Sequence, residues 1–179
     1  MRRYISDIAF TPSVKDVQLE KGSRSTYERV ESGMGWQQNV TPELEFFLSG
    51  LDMFYFATAT ADGQPYVQYR GGPRGFLKVV DERTLAFADF AGNRQYLSLG
   101  NLRENDKVLL FLIDYAQRQR IKIWGTARVI ENDPDLLANL SDASYAGRPE
   151  RAIVVTVEAW DVNCPQHIHR RLPAESAEA

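Results

Sequence analysis

The sequence has one cysteine, two histidines and no long apolar run. Since Cys164 is alone, no disulfide can form within the chain, and this favours a reducing, cytoplasmic location. The longest strongly apolar run, from Val108 to Ile113, is far too short to cross a bilayer, so we do not expect a membrane protein. Lys and Arg total 21 against 24 Asp and Glu, a net charge of −3, which argues against a nucleic-acid partner.

The usual catalytic signatures are also missing. There is no glycine-rich phosphate loop, no dinucleotide fingerprint and no Gly-x-Ser-x-Gly elbow. Cys164, His167 and His169 could supply three metal ligands, or Cys164 and His167 a nucleophilic pair. They are crowded into a proline-containing segment without a clear fourth ligand, so an unreactive cysteine is the favoured interpretation and no metal is expected.

The length of 179 residues with 44% hydrophobic side chains fits one domain with a proper core. Alternating and β-rich patterns predict strands separated by mostly short turns, and these favour a small antiparallel β-barrel with peripheral helices. The predicted strands are Met53 to Thr60, Gln64 to Arg70, Phe76 to Val80, Thr84 to Phe90, Lys107 to Asp114, Gln119 to Ile130 and Arg151 to Val162.

Four helical segments are predicted around the barrel. Pro12 to Arg29 is polar and predicts a surface helix, whereas Thr41-Pro42 predicts the start of a helix that ends at Gly50. A short helix is expected from Asn93, as its N-cap, to Leu102, and a helical turn from Pro134 to Leu140. We therefore expect a helical extension over residues 1–40, a barrel over 41–168 and a disordered tail over 169–179.

The segment Ala88 to Ser98 combines a strand end, a glycine and a helix start with Arg94 directly after the cap. Exposed N–H groups at a helix start, beside a guanidinium, form a binding site for a phosphate dianion. Alternatively, Asn93 serves only as a cap and Arg94 is a solvated charge.

The segment Gln117 to Gly125 predicts a cationic strand face. Alternation directs Arg118, Arg120, Lys122 and Trp124 to one side and two isoleucines to the other. Because neighbouring cations repel one another, an anionic ligand or a subunit contact is favoured over the alternative of a solvated edge strand.

The segment Tyr66 to Gly75 ends a predicted strand with Gly71-Gly72-Pro73. Glycine at this point permits close approach of a flat ligand to the backbone, although an ordinary hairpin exit would have the same sequence.

Together these segments resemble the pyridoxamine 5′-phosphate oxidase-related, FMN-binding split-barrel family. The resemblance is carried by the ordered series Asp62 to Pro73, Phe87 to Tyr96, Ile121 to Val129 and Asp161 to Ile168. It implies a six-stranded antiparallel split β-barrel, a homodimer and FMN held at the dimer interface. Arg171-Leu172-Pro173 matches only part of the substrate-binding segment of the true oxidases, so the vitamin-phosphate substrate is not expected.

The implied activity is hydride exchange between a small substrate or nicotinamide and the flavin, which needs no protein nucleophile or metal. The alternatives are a non-catalytic flavin carrier or sensor, a deazaflavin or haem in place of FMN and, in a different class, a nucleic-acid surface. The expected cofactor-binding residues are Gln68, Tyr69, Arg70, Gly71, Asn93, Arg94, Gln95, Ser98, Arg120, Lys122, Trp124, Gln166 and His167.

Overall fold

The computed structural model describes residues 4–33, 35–163 and 165–172, apart from the side chain of Asn163. The first element is a 3₁₀ turn (Ile5–Ile8), and the helices are α1 (Pro12–Glu20), α2 (Arg24–Ser32), α3 (Pro42–Ser49), α4 (Leu97–Glu104) and α5 (Pro134–Leu140). The strands are β1 (Met53–Ala59), β2 (Pro65–Gly71), β3 (Lys78–Asp81), β4 (Thr84–Phe90), β5 (Lys107–Asp114), β6 (Gln119–Ile130) and β7 (Pro149–Asn163). None of these helices has the length and apolar character needed to span a bilayer.

The strands form one antiparallel sheet in the order β2-β1-β5-β6-β7-β4-β3. This confirms a mainly β fold of the split-barrel type. The sheet has seven strands, as many as the sequence pattern predicts and one more than the six that the family resemblance implies; the short edge strand β3 is among them. No backbone ladder joins the two ends of the sheet within the described residues, so the barrel is open on one side.

The sheet curls around an aromatic core. Phe54 and Phe56 on β1 are fully buried, and their ring centroids lie 5.2 and 5.7 Å from that of Phe87 on β4. Three strands, β5, β6 and β7, lie between β1 and β4 in the sheet order, so these rings meet across the interior of the curled sheet and not between paired strands. Burial of such large rings supplies much of the hydrophobic stabilisation of the fold.

Strand β6 has the predicted bounds and the predicted alternation. Ile121 and Ile123 are buried, whereas Arg120, Lys122 and Trp124 point away from the core. The strand lies between β5 and β7, so the alternative of a solvated edge strand is wrong. Arg118 is not part of the stripe, because it lies in the turn before β6 with a φ of 53°.

The helix predictions are correct for α3 and α5 and need two corrections. The hydroxyl of Thr41 accepts a hydrogen bond from the N–H of Leu44 (3.3 Å), as expected of an N-cap. The single helix predicted over 12–29 is instead two helices, α1 and α2, because Gly22 between them has a φ of 75°.

The helix expected from Asn93 begins four residues later, at Leu97. Arg94 and Tyr96 have left-handed backbones, with φ of 62° and 55°, which a right-handed helix cannot contain. The side-chain oxygen of Asn93 accepts a hydrogen bond from the N–H of Gln95 (3.2 Å), so Asn93 shapes a loop instead of capping a helix.

The N-terminal extension packs against the sheet. The ring of Trp36 stacks on Trp124 of β6 at a centroid distance of 4.8 Å, and Gln37 exchanges two backbone hydrogen bonds with Trp160 of β7. At the other end of the chain, the guanidinium of Arg171 lies 4.8 Å from the ring centroid of Tyr115. The rest of the predicted disordered tail, from Pro173 onward, lies outside the described residues.

Gly125 occupies the register shift between β6 and β7, where a Cβ atom would lie 2.0 Å from the carbonyl oxygen of Thr156. We expect Gly125→Ala to lower the free energy of unfolding by about 2–3 kcal/mol, because one of the two backbones must move. Urea denaturation followed by circular dichroism measures this change. The control is Gly100→Ala in α4, where a Cβ meets nothing within 4 Å. It should raise stability by about 0.5–1 kcal/mol, and wild-type stability of Gly125→Ala would contradict the close approach.

A candidate anion-binding groove at the split of the barrel

A groove of about 280 Å³ lies where the two ends of the sheet approach each other without pairing. One wall comes from β2, another from the end of β4 and the loop that leads into α4, and a third from the start of β7. The groove is lined by Tyr66, Gln68, Arg70, Asp89, Phe90, residues 92–99, Glu150 and Arg151.

Asp89 is the buried centre of this groove. Its carboxylate accepts hydrogen bonds from the guanidinium groups of Arg70 on β2 and of Arg151 on β7, the latter at 2.9 Å. The Asp89 side chain is 4% exposed and each arginine side chain 11%. Since charged groups in such surroundings need partners, Asp89 fixes the positions of both arginines.

Arg70 has hydrogen-bonding capacity left over. Its guanidinium lies 5.8 and 5.9 Å from the ring centroids of Phe56 and Phe87, at the end of the aromatic core. Its Nε–H is buried and has no hydrogen-bond partner among the described residues. Burial lowers the pKa of Arg70, and the neighbouring carboxylate of Asp89 acts in the opposite direction. A buried donor without a partner is costly, so this N–H is suited to a ligand.

Arg151 carries three acidic contacts. Besides Asp89, its Nη2 donates to Glu150 (3.0 Å), and its Nε lies 3.4 Å from a carboxylate oxygen of Glu131. The guanidinium also lies 5.6 Å from the ring centroid of Tyr96. These contacts hold the arginine at the base of the groove with its charge largely desolvated.

The loop before α4 forms the outer wall of the groove. Arg94 is exposed, and its Nε donates to the phenol oxygen of Tyr96 (3.3 Å). Ser98, in the first turn of α4, is buried and donates to the side-chain oxygen of Gln68 on β2 (3.0 Å). This bond ties the loop and helix to the edge of the sheet.

The structure separates the sequence-predicted residues into groups. Gln68, Arg70 and the loop residues line the groove, whereas Tyr69 lies on the opposite face of β2, and Gly71 ends that strand. Six of the predicted residues line the groove: Gln68, Arg70, Asn93, Arg94, Gln95 and Ser98. Seven do not line it: Tyr69, Gly71, Arg120, Lys122, Trp124, Gln166 and His167. Gln166 and His167 are exposed in the segment after β7.

Tyr69 belongs instead to an outward face formed by β2, β1, β5 and β6. Cross-strand pairing aligns Tyr69 with Tyr55, Tyr55 with Phe111, and Phe111 with Lys122. We define this outward face by Val67, Tyr69, Tyr55, Phe111, Lys122 and Trp124. Burial lowers the pKa of Lys122 and raises that of Asp161, its cross-strand neighbour on β7.

Asp89, Glu150 and Arg151 were missed by reasoning from the sequence. A lone carboxylate in the apolar strand Leu85 to Phe90 is a usable signal, because a buried charge requires a partner. The identity of that partner could not be predicted, since Arg151 is 62 residues away in sequence.

The described residues contain no group of three or more His, Cys, Asp and Glu side chains that could hold a metal ion. The metal-binding and nucleophilic alternatives for Cys164 remain expectations, because Cys164 lies outside the described residues.

Several solved structures share this fold. HupZ of Group A Streptococcus matches with a TM-score of 0.56 and 17% identity, over 74% of this chain and 99% of HupZ. A putative pyridoxamine 5′-phosphate oxidase from Lactobacillus delbrueckii has a TM-score of 0.53 and 21% identity, over 69% of this chain and 94% of its own. An FMN-binding protein from Syntrophomonas wolfei has a TM-score of 0.51 and 14% identity, over 85% of this chain and 95% of its own.

No protein of curated function matches the sequence. The family model of pyridoxamine 5′-phosphate oxidase matches residues 40–164, which is well over half of the chain and includes every strand of the sheet. The chain therefore belongs to the pyridoxamine 5′-phosphate oxidase family.

Proposed function

We propose that this protein is an FMN-dependent oxidoreductase that works as a cytoplasmic homodimer. The observation that carries the proposal is the groove, in which three arginines converge at the open side of a split barrel. The family supports it, as does the likeness in fold to a protein from Syntrophomonas wolfei that is described as FMN-binding. The single cysteine supports the cytoplasmic location, because proteins of reducing compartments rarely contain disulfides.

The groove suits the phosphate of FMN in charge and in donors. Arg70, Arg94 and Arg151 outnumber the two carboxylates of Asp89 and Glu150 by one positive charge. The buried Nε–H of Arg70 has no partner among the described residues, and the first-turn N–H groups of α4 have no intrahelical acceptor by construction. A phosphate dianion would satisfy donors that the described residues leave open.

The remaining residues of the groove would hold and orient the cofactor. The Gln68 amide, fixed by its bond from Ser98, retains donors for the polar edge of a ring system. Asn93 and Gln95 stabilise the loop that carries Arg94. When bound, the flavin supplies the hydride chemistry, so the chain needs only to bind, orient and shield it.

The outward face supports the homodimer. Val67 and Tyr69 are 58% and 59% exposed on the edge strand β2, next to the partly buried Tyr55 and Phe111. A contiguous aromatic surface of this kind favours association, and closed two-fold dimers are the commonest solution for soluble proteins. A site shared between two copies further requires that Arg120, Lys122 and Trp124 of the second copy reach the groove, which these residues do not line within one chain.

A non-catalytic flavin carrier or sensor is the second candidate. Both carboxylates of the groove are engaged by arginines: Asp89 by Arg70 and Arg151, and Glu150 by Arg148 and Arg151. Among the described lining residues, the tyrosines are therefore the acid or base groups that are not held in an ion pair. Rapid bleaching of bound flavin by a reduced nicotinamide under anaerobic conditions would favour the oxidoreductase, whereas flavin that stays oxidised would favour the carrier.

Arg94→Ala tests the site itself. Loss of one charge-assisted hydrogen bond to the phosphate, worth about 1.5–3 kcal/mol, should weaken FMN binding roughly tenfold to a hundredfold. Titration of FMN into the purified protein, followed by flavin fluorescence, measures the affinity. Arg29→Ala removes an exposed arginine of α2 outside the groove and should leave the affinity unchanged. The placement is wrong if Arg94→Ala binds FMN as tightly as wild type.

A mixed dimer tests whether each site is shared between two chains. One chain carries Arg94→Ala and the other carries Arg120→Ala with Lys122→Ala. Shared sites predict one intact and one doubly damaged site, hence about half of the normal flavin occupancy. The homodimer of Arg120→Ala with Lys122→Ala separates the two cases. Shared sites predict that it loses its flavin, since both of its sites are damaged. Wild-type occupancy would show that each site draws on a single chain, because Arg120 and Lys122 do not line the groove of their own chain. A monomer in light scattering at micromolar concentration would also count against the shared site.

A further inference from the structure

A second cavity, of about 430 Å³, lies where α4 meets β6 and β7. Leu99 and Leu102 of α4 and Val154 of β7 give it an apolar wall. Cross-strand pairing of Thr126 with Thr156 places their hydroxyl groups on one face of the sheet. The same pairing aligns Arg128 with Val154, so a guanidinium stands directly beside the apolar wall.

Some of the charged side chains that line this cavity have partners within the described chain and others do not. Within the described chain, Arg103 and Arg128 are engaged in no ion pair and no side-chain hydrogen bond. Of the two acidic residues in the lining, Glu131 contacts Arg151, and Asp106 is left. Because Arg103 and Arg128 have no such partners, their guanidinium groups are the donors that an anionic ligand in the cavity would meet.

The cavity adjoins the groove. Leu99 lines both, and Glu131 of the cavity lies 3.4 Å from Arg151 of the groove. A ligand in the cavity would therefore be separated from whatever the groove holds by these shared side chains.

We propose that this cavity binds a small organic anion, a carboxylate or phosphate monoester with an apolar body. Arginine presents a planar pair of donors that matches a carboxylate or phosphate, and the leucine and valine wall would cover the body of such a molecule. The volume lies within the range of about 300–1,000 Å³ typical of small-molecule sites. Anion binding in this cavity does not require the flavin, whereas we assign the cavity to the substrate of the oxidoreductase on the basis of the proposed function.

Benzoate and benzamide, which share their shape and differ in charge, test the anion preference by calorimetric titration of the purified full chain. We expect benzoate to bind about tenfold more tightly than benzamide, since only benzoate pairs with a guanidinium. Equal binding of the two, or no binding of benzoate, would overturn the proposal.

Two arginine variants and a competition locate the benzoate. Arg103→Gln and Arg128→Gln should each weaken its binding several-fold, and both residues are exposed, so these variants should fold. Arg29→Gln is the matched control and should bind as wild type does. A saturating amount of FMN should not displace benzoate. Displacement, or wild-type affinity in both cavity variants, would place the anion elsewhere and overturn the proposal. A protein that fails to bind FMN but shows this arginine-dependent preference would refute only the flavin proposal.

Discussion

The buried carboxylate of Asp89 joins parts of the sheet that the backbone leaves apart. Strand β2 is first in the sheet order and β4 is sixth, yet Asp89 of β4 accepts hydrogen bonds from Arg70 of β2. Arg151, its cross-strand neighbour on β7, completes the contact from the other side. A buried pair of this kind contributes little net stability, but the loss of one partner leaves an uncompensated charge and costs several kcal/mol. The open side of the barrel is thereby fixed in width, and the groove lies there.

Because side chains alternate along β2, neighbouring residues of this strand lie on opposite faces of the sheet. Gln68 and Arg70 face the groove, while Val67 and Tyr69 face outward and extend the aromatic row across β1 and β5. A slip of one residue in the β1–β2 register would exchange these two sets, which would remove the arginine from the groove and expose it on the outward face. Ligand binding and association of two copies therefore depend on the same strand pairing.

The strands were the most predictable part of the molecule. Strand β5 has its predicted bounds because a continuous apolar run is typical of a central strand, and β6 because its alternation leaves one orientation that buries Ile121 and Ile123. The start of α4 was mispredicted because Asn93 forms a side-chain turn with Gln95, and a cap and such a turn have the same local sequence. The break at Gly22 depends on a positive φ that the polar pattern of the extension does not encode.

The groove was predictable only in its local parts. The segments Tyr66 to Gly75 and Ala88 to Ser98 were singled out because each joins a strand end to glycine and arginine, and both contribute residues to the groove. Asp89 and Arg151 were not predicted, because they meet each other only through the pairing of β4 with β7 and meet Arg70 only across the open side of the curled sheet. The outward residues Arg120, Lys122 and Trp124 could be assigned to a face but not to a ligand, since the described chain does not bring them to the groove.

A comparison of FMN with riboflavin tests the central claim most directly, because the two share their ring system and differ by the phosphate. If the arginines around Asp89 hold that phosphate, the wild-type protein should bind FMN at least about tenfold more tightly than riboflavin at low salt. The preference should shrink as the salt concentration rises. Equal affinity for the two molecules would contradict the assignment of the groove to a phosphate.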